Sequence, residues 1–169
     1  MALVMTVEYG DGSATANSYC ALATADDYHD SRLHVADWSS AVTATKEAAL
    51  VWSTRLMDDL LAWNGWKYTE TQALEWPRDG VYDKSGYEID VDEIPTFLQN
   101  ATAEFARTLI VSDRTAEAAT RGFNFLQAGS LKMSINKMDR IDVLPDSVWA
   151  MVKFCSTKAL AQIRYLVRA

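Results

Sequence analysis

Apolar residues between positions 49 and 63 recur with a helical period, and this pattern restricts the fold more than any other feature of the sequence. At intervals of 3, 4, 4 and 3 they are Ala49, Trp52, Leu56, Leu60 and Trp63. This spacing places them on one face of an α-helix. Thr43 or Thr45 is suited to begin the helix, and Asn64-Gly65 is suited to end it, because both residues tolerate a left-handed backbone.

Three further segments complete a mainly α prediction. Thr24 is an expected N-cap for a short helix that runs to about Leu33. Pro95 is suited to the first turn of a third helix, whose apolar stripe ends near Leu109. With a last helix near the end of the chain, the sequence predicts a compact domain of about four helices that spans residues 1–169.

A long connection, residues 64–94, separates the second and third predicted helices. Asn64-Gly65, Asp79-Gly80 and Ser85-Gly86 are its turn signals. Since a structureless loop of this length is uncommon in a compact domain, we expect apolar side chains to anchor it. The candidate anchors are Trp66, Leu74, Trp76, Val81, Tyr87 and Ile89.

Residues 122–136 change to a period of two and predict a β-hairpin. Phe123 and Phe125 alternate before Ala128-Gly129-Ser130, and apolar residues alternate again after it. A C-terminal amphipathic helix is then predicted over residues 145–168. Its expected apolar face carries Val148, Met151, Val152, Cys155, Ala159, Ile163 and Leu166, and its opposite face carries Lys153, Arg164 and Arg168.

Charge is divided unevenly along the chain, whose net charge is −7. Residues 1–113 contain seven Lys and Arg against 19 Asp and Glu, whereas residues 114–169 contain nine against four. Opposite charges on two parts of a subunit allow copies to stack or to form rings. Ordinary variation among solvated faces accounts for the same asymmetry, so both interpretations stay open at this stage.

The sequence predicts neither catalysis nor a bound cofactor or metal. His29 and His34 are five positions apart and are the only histidines, which does not suit two ligands on one helix face. Cys20 and Cys155 lie outside any CxxC motif, so a reducing compartment is the simpler reading. Glycine-rich phosphate motifs are missing, and no apolar stretch approaches the length of about 18 residues needed to span a membrane.

Single-stranded DNA binding is an alternative function. Cations and aromatics mix in one part of the chain, at Arg121, Phe123, Phe125, Lys132, Lys137 and Arg140, as they do in single-strand binders. The acidic isoelectric point of about 4.8 opposes a general attraction to phosphate. Phe123 and Phe125 also suit a core or an interface.

Two motifs carry a resemblance to a known family. Residues 73–81 read Ala-Leu-Glu-Trp-Pro-Arg-Asp-Gly-Val, and residues 94–106 follow the pattern IPxxLxxAxxEFA. Together with Ala16-Asn17-Ser18-Tyr19, Ala25-Asp26-Asp27-Tyr28 and Trp38, this sequence resembles a tailed-bacteriophage family of head–tail adaptor, or connector, proteins. Members of that family are also labelled DnaT-like single-stranded DNA-binding proteins. The likeness covers roughly residues 1–110 and thins beyond them.

The resemblance implies a structural virion protein made in the host bacterial cytoplasm. Such adaptors pack side by side into a homo-oligomeric ring, commonly a dodecamer, beneath the portal protein at the head–tail vertex. The ring contacts tail or nozzle proteins and surrounds the DNA channel without sequence-specific binding. No membrane is involved in this role.

The basic part of the chain supplies the expected contacts with the portal or an adjacent subunit. These candidates are Arg121, Phe123, Phe125, Lys132, Lys137, Lys153, Arg164 and Arg168. Trp76, Pro77 and Arg78 are instead predicted to form a structural clasp for the long loop. Pro77 favours an extended backbone at Trp76, and Arg78 is suited to pair with nearby carboxylates.

Overall fold

The computed structural model describes residues 3–116, 125–128, 131–134 and 142–159. Its helices are α1 (Leu22–Asp30), α2 (Ala36–Ser40), α3 (Thr43–Leu60), α4 (Thr96–Val111) and α5 (Asp146–Val152). Its strands are β1 (Leu61–Trp63), β2 (Trp66–Lys67), β3 (Arg78–Asp79), β4 (Phe125–Ala128), β5 (Leu131–Ser134) and β6 (Ser156–Lys158). The strands pair as β1–β6, β2–β3 and β4–β5, all antiparallel. Helices dominate this mixed arrangement, in rough agreement with the mainly α prediction.

The main core lies where α4 packs against α3 and α5. Leu98, Ala101 and Phe105 of α4 are completely buried, as the helical stripe in the sequence predicts. Small residues on α4 permit close helix approach, and Ser53 of α3 donates a 3.2 Å hydrogen bond to the carbonyl of Thr102. A second cluster of buried side chains surrounds Cys20, Trp38 and Leu50 beside α4. None of the described helices is long and apolar enough to cross a bilayer.

The predicted helix that ends at Trp63 is wrong over its last three residues. α3 ends at Leu60, and residues 61–63 form β1. The backbone turns extended at Leu61, with φ −118° and ψ 134°, because this segment pairs with β6 from the far end of the chain. That long-range pairing overrides a local helical period. The helix also begins at Thr43 after Val42, whose side chain makes no capping hydrogen bond.

The predicted C-terminal helix over residues 145–168 is wrong over residues 153–158. α5 stops at Val152, and Ser156–Lys158 form β6 instead. The side chain of Ser156 donates a 2.8 Å hydrogen bond to the carbonyl of Val152, and the amide of Asn64 donates one of 2.9 Å to the carbonyl of Cys155. These bonds satisfy the groups that a continuing helix would have paired internally. Residues 160–169 lie outside the described part of the chain.

The hairpin segment contains the antiparallel pair β4–β5. Ala128 pairs with Leu131 and Phe125 with Ser134, and both strands lie within the predicted 122–136 range. Near the start of the described chain, an isolated bridge joins Val7 to Ser18.

Candidate assembly surface

The long connection between β1 and α4 carries the most unusual surface of the described chain. Four of its large aromatic residues are exposed, with exposed fractions of 66% for Trp66, 45% for Tyr68, 53% for Tyr82 and 74% for Tyr87. Several large aromatics exposed within one segment are typical of interaction sites. We call Trp66, Tyr82 and Tyr87, together with the exposed Asp79, Asp83, Glu88 and Asp90, the acidic aromatic surface.

Arg78 holds the base of this loop in place. Its Nε donates to the carbonyl of Asn64 at 2.7 Å and its Nη2 to the carbonyl of Gly65 at 2.8 Å. Nη1 donates to the carbonyl and the carboxylate of Glu75 at 3.0 and 2.9 Å, and a longer contact of 3.5 Å joins Nη2 to the carbonyl of Trp63. An arginine has five N–H donors, so none remains for an external phosphate. This geometry suits an internal clasp.

Trp76 inserts the middle of the loop into the main core. Its side chain is completely buried and meets the rings of Trp63 and Phe97 edge to face, with centroids 5.8 and 6.0 Å apart. The following peptide bond to Pro77 is cis. The side-chain Nε2 of Gln72 donates a 3.0 Å hydrogen bond to the carbonyl of Pro77. The loop is therefore fixed on both sides of the Trp-Pro-Arg motif.

Tyr19 and Asp58 attach the same stretch of loop to α3. The Tyr19 hydroxyl donates to Oδ1 of Asp58 at 2.7 Å and accepts from the amide of Trp76 at 3.1 Å. Oδ2 of Asp58 accepts a 3.2 Å hydrogen bond from the amide of Glu75. Both carboxylate oxygens are thus used inside the chain. A cleft of about 390 Å³ opens beside Asp58 and is also lined by Arg55.

Burial raises the pKa of Asp58 to about 6, although the hydrogen bonds from Tyr19 and the Glu75 amide oppose that shift. An aspartate in the unfolded chain titrates near 3.8. The folded protein therefore binds this proton more tightly, and the contribution of Asp58 to stability increases as pH falls from 7 towards 4.

We expect this group to raise the free energy of unfolding by about 1.3 kcal/mol between pH 7 and pH 5. Urea unfolding at both pH values, compared between the wild type and Asp58→Asn, isolates the effect because the variant cannot titrate. Asp59→Asn, at the next and more exposed position, is the matched control and should keep the wild-type pH slope. Equal slopes for the wild type and Asp58→Asn would contradict the assignment.

A buried carboxylate organises the turn that supports the other end of the loop. Glu8 is 1% exposed, and its two oxygens accept hydrogen bonds of 2.9, 3.1 and 2.8 Å from the amides of Gly10, Gly12 and Ser13. Gly10 has a φ of +119°, and a Cβ at this position would lie 1.8 Å from the carbonyl oxygen of Asp92. The turn thus packs directly against the last residues of the loop.

Carboxylates dominate the charge of the loop. The exposed acidic residues between positions 79 and 93 are Asp79, Asp83, Glu88, Asp90, Asp92 and Glu93. Lys84 is the one cation in that range, and its ammonium lies 5.3 Å from the ring centre of Phe154. Trp66 donates to Oδ2 of Asp79 at 3.2 Å, so aromatic and acidic groups touch. A partner for this surface needs positive charge.

Comparison with known protein families gives a match that covers the long connection and most of the rest of the chain. The family model described as "Putative DnaT-like ssDNA binding protein" matches residues 1–157. The chain belongs to this family. No curated protein and no solved structure matches it. The match includes the Trp-Pro-Arg motif, α4, the β4–β5 pair and α5. It therefore extends beyond residues 1–110, the part of the sequence in which the resemblance to the family is clearest.

Three of the eight contact residues predicted from the sequence lie in the described part of the chain. Phe125 opens β4 opposite Ser134, and Lys132 lies in β5 opposite Gln127. Lys153 is exposed at the end of α5. The others, Arg121, Phe123, Lys137, Arg164 and Arg168, fall outside the described residues.

Sequence reasoning missed a buried ionic cluster between α1 and α4. Glu104 is 1% exposed, and its Oε1 lies 2.9 Å from Nη2 of Arg32 and 3.0 Å from Nη2 of Arg107. Next to it, Nε2 of His29 lies 3.1 Å from the carbonyl oxygen of Ala103, and burial lowers the pKa of His29. The available signal was a glutamate inside the apolar stripe of α4. Among the described residues, no group of three or more His, Cys, Asp or Glu is arranged to hold a metal ion.

Proposed function

We propose that this DnaT-like protein is a structural subunit that assembles with other proteins, as a head–tail adaptor in a tailed-bacteriophage virion. The observation that carries the proposal is the acidic aromatic surface, held on a loop whose internal attachments are the Arg78 clasp, the buried Trp76, the Tyr19–Asp58 contacts and the Glu8 turn. Aromatic side chains are frequent anchors of protein interfaces. Carboxylates around them repel phosphate and attract a cationic protein partner. The resemblance of residues 73–106 to adaptors supports the same role.

An adaptor of this kind forms a ring beneath the portal, around the DNA channel. Ring closure requires a heterologous contact, in which two different surfaces of the same subunit meet around a rotation axis. In this proposal the acidic residues of 1–113 and the basic residues of 114–169 supply the two surfaces. In this proposal the portal and the tail proteins are the other partners, DNA passes through without sequence-specific binding, and the protein is not an enzyme.

A second candidate function is a single-stranded DNA-binding replication accessory. The description of the family favours it directly. Cations and aromatics in residues 121–140 would then carry the binding, with Phe125 and Lys132 as the members that the structure places on paired strands. Arg78, despite its place in the most specific motif, could not contribute, because all five of its donors bind within the chain.

Two measurements on the same preparation separate these functions. Electron microscopy of virions, or of the chain mixed with its portal, should show a ring of this protein at the head–tail vertex. Fluorescence anisotropy with a labelled thymine oligonucleotide should show no binding in the low micromolar range at physiological salt. A protein that is missing from the vertex and binds the oligonucleotide with a steep salt dependence would replace the adaptor proposal with the second candidate.

A further inference from the structure

The acidic aromatic surface specifies the chemistry of its partner. Trp66, Tyr82 and Tyr87 present faces to which an arginine binds well through cation–π contact. The neighbouring carboxylates of Glu88 and Asp90 accept charge-assisted hydrogen bonds from the same guanidinium. Within the described residues these two carboxylates have no hydrogen bond or ion pair, unlike Asp83, whose Oδ1 accepts from the amides at positions 85 and 87. The surface therefore fits a segment that combines arginines with apolar residues.

The chain itself contains such a segment after β6. Residues 160–169 include Arg164 and Arg168 and no acidic residue. Apolar side chains separate the two arginines at Tyr165, Leu166 and Val167. Residues 160–169 thus combine two cations with the apolar side chains that exposed tyrosine and tryptophan rings would contact.

The direction of β6 determines which copy the segment reaches. β1 and β6 run antiparallel, with Leu61 opposite Lys158 and Trp63 opposite Ser156. The chain therefore leaves β6 beside the end of α3, whereas the loop with the acidic aromatic surface begins beyond Trp63, at the other end of the strand pair. The last described residues of β6 therefore lie away from the start of their own loop, which favours contact with a neighbouring copy.

We infer that the acidic aromatic surface of one copy binds residues 160–169 of a second copy. The contact joins two different surfaces of the same chain, and it repeats from copy to copy as a closed ring requires. The inference identifies the subunit contact of the ring and in that respect rests on the proposed adaptor function. The arginines supply charge and ring contacts, and the apolar residues between them cover the exposed aromatics.

A charge-swap experiment tests this contact with labelled peptides of residues 158–169 and fluorescence anisotropy. The first receptor is the full chain with Arg164→Glu and Arg168→Glu, so that its own segment does not compete, and it should bind the wild-type peptide with micromolar affinity. The second receptor is the full chain with Glu88→Lys and Asp90→Lys. It should bind the wild-type peptide at least about tenfold more weakly but should bind a peptide carrying Arg164→Glu and Arg168→Glu.

The matched control adds Asp27→Lys and Asp30→Lys to the first receptor. These are exposed carboxylates of α1, and the wild-type peptide should bind this receptor as it binds the first. Lack of saturable binding at millimolar peptide, or equal binding of both peptides to both receptors, would overturn the inference. If the peptides fail while the protein occupies the head–tail vertex, the adaptor function stands and only this contact is wrong. If the peptides bind as expected but the protein is missing from the head–tail vertex, the contact between copies stands and the adaptor function is wrong.

Discussion

Replacing Arg78 by methionine should lower the free energy of unfolding by about 3–5 kcal/mol. Methionine keeps most of the apolar stem but removes all five donors. The carbonyls of Asn64 and Gly65 would lose their donor inside the protein, and Glu75 would lose one of the two cations that pair with its carboxylate, the other being Lys67. Because the side chain is only 7% exposed, water cannot take over these hydrogen bonds without opening the loop.

Urea unfolding followed by tryptophan fluorescence measures this change. Arg55→Met is the matched control, since Arg55 is exposed on α3 and packs over the ring of Trp52 at 5.5 Å; its effect should stay within about 0.5 kcal/mol. Arg78→Lys should fall between the two variants, because an ammonium cannot reproduce the planar fork. If Arg78→Met were no more harmful than Arg55→Met, the guanidinium would be free in solution, and a role in phosphate binding would regain support.

The sequence specifies the elements whose pattern is local. α4 follows its predicted stripe because its buried side chains, Leu98, Ala101 and Phe105, repeat with a helical period. The C-terminal region shows the limit of that reasoning. Residues 153–168 continue an apolar helical spacing, yet Ser156–Lys158 form β6, because β1 offers strand pairing from almost a hundred positions away. A period within a window does not contain that information.

The loop shows a second limit. Leu74, Trp76 and Val81 are buried, as their apolar character predicts, but Trp66 and Tyr87 are exposed and do not anchor the loop. An irregular segment has no period that separates inside from outside, so residue type alone cannot make the distinction. Trp66 rests on Gly80, where a Cβ would lie 3.5 Å from its ring. The sequence directed attention to a basic contact surface, whereas the described structure presents an acidic aromatic one.

Gly10→Ala should destabilise the protein by about 3 kcal/mol or more. The φ of +119° is strained for any L-residue with a side chain, and the new Cβ would lie 1.8 Å from the carbonyl oxygen of Asp92. Neither backbone can retreat easily, because the amide of Gly10 is bonded to the buried Glu8 and Asp92 precedes Ile94 of the core. The change would push the loop away from the N-terminal turn.

Gly86→Ala is the control that shows how much of the Gly10→Ala loss comes from backbone strain alone and how much from the clash with Asp92. Gly86 has a φ of +87°, and a Cβ there meets nothing within 4 Å, so this variant should lose only about 1–2 kcal/mol. Urea unfolding gives both values, and amide hydrogen exchange should show faster opening of residues 90–94 in Gly10→Ala alone. Equal losses in the two variants would mean that the turn does not press on the loop. The larger loss at Gly10, together with weaker binding of the 158–169 peptide, would show that the N-terminal turn holds the acidic aromatic surface in its binding form.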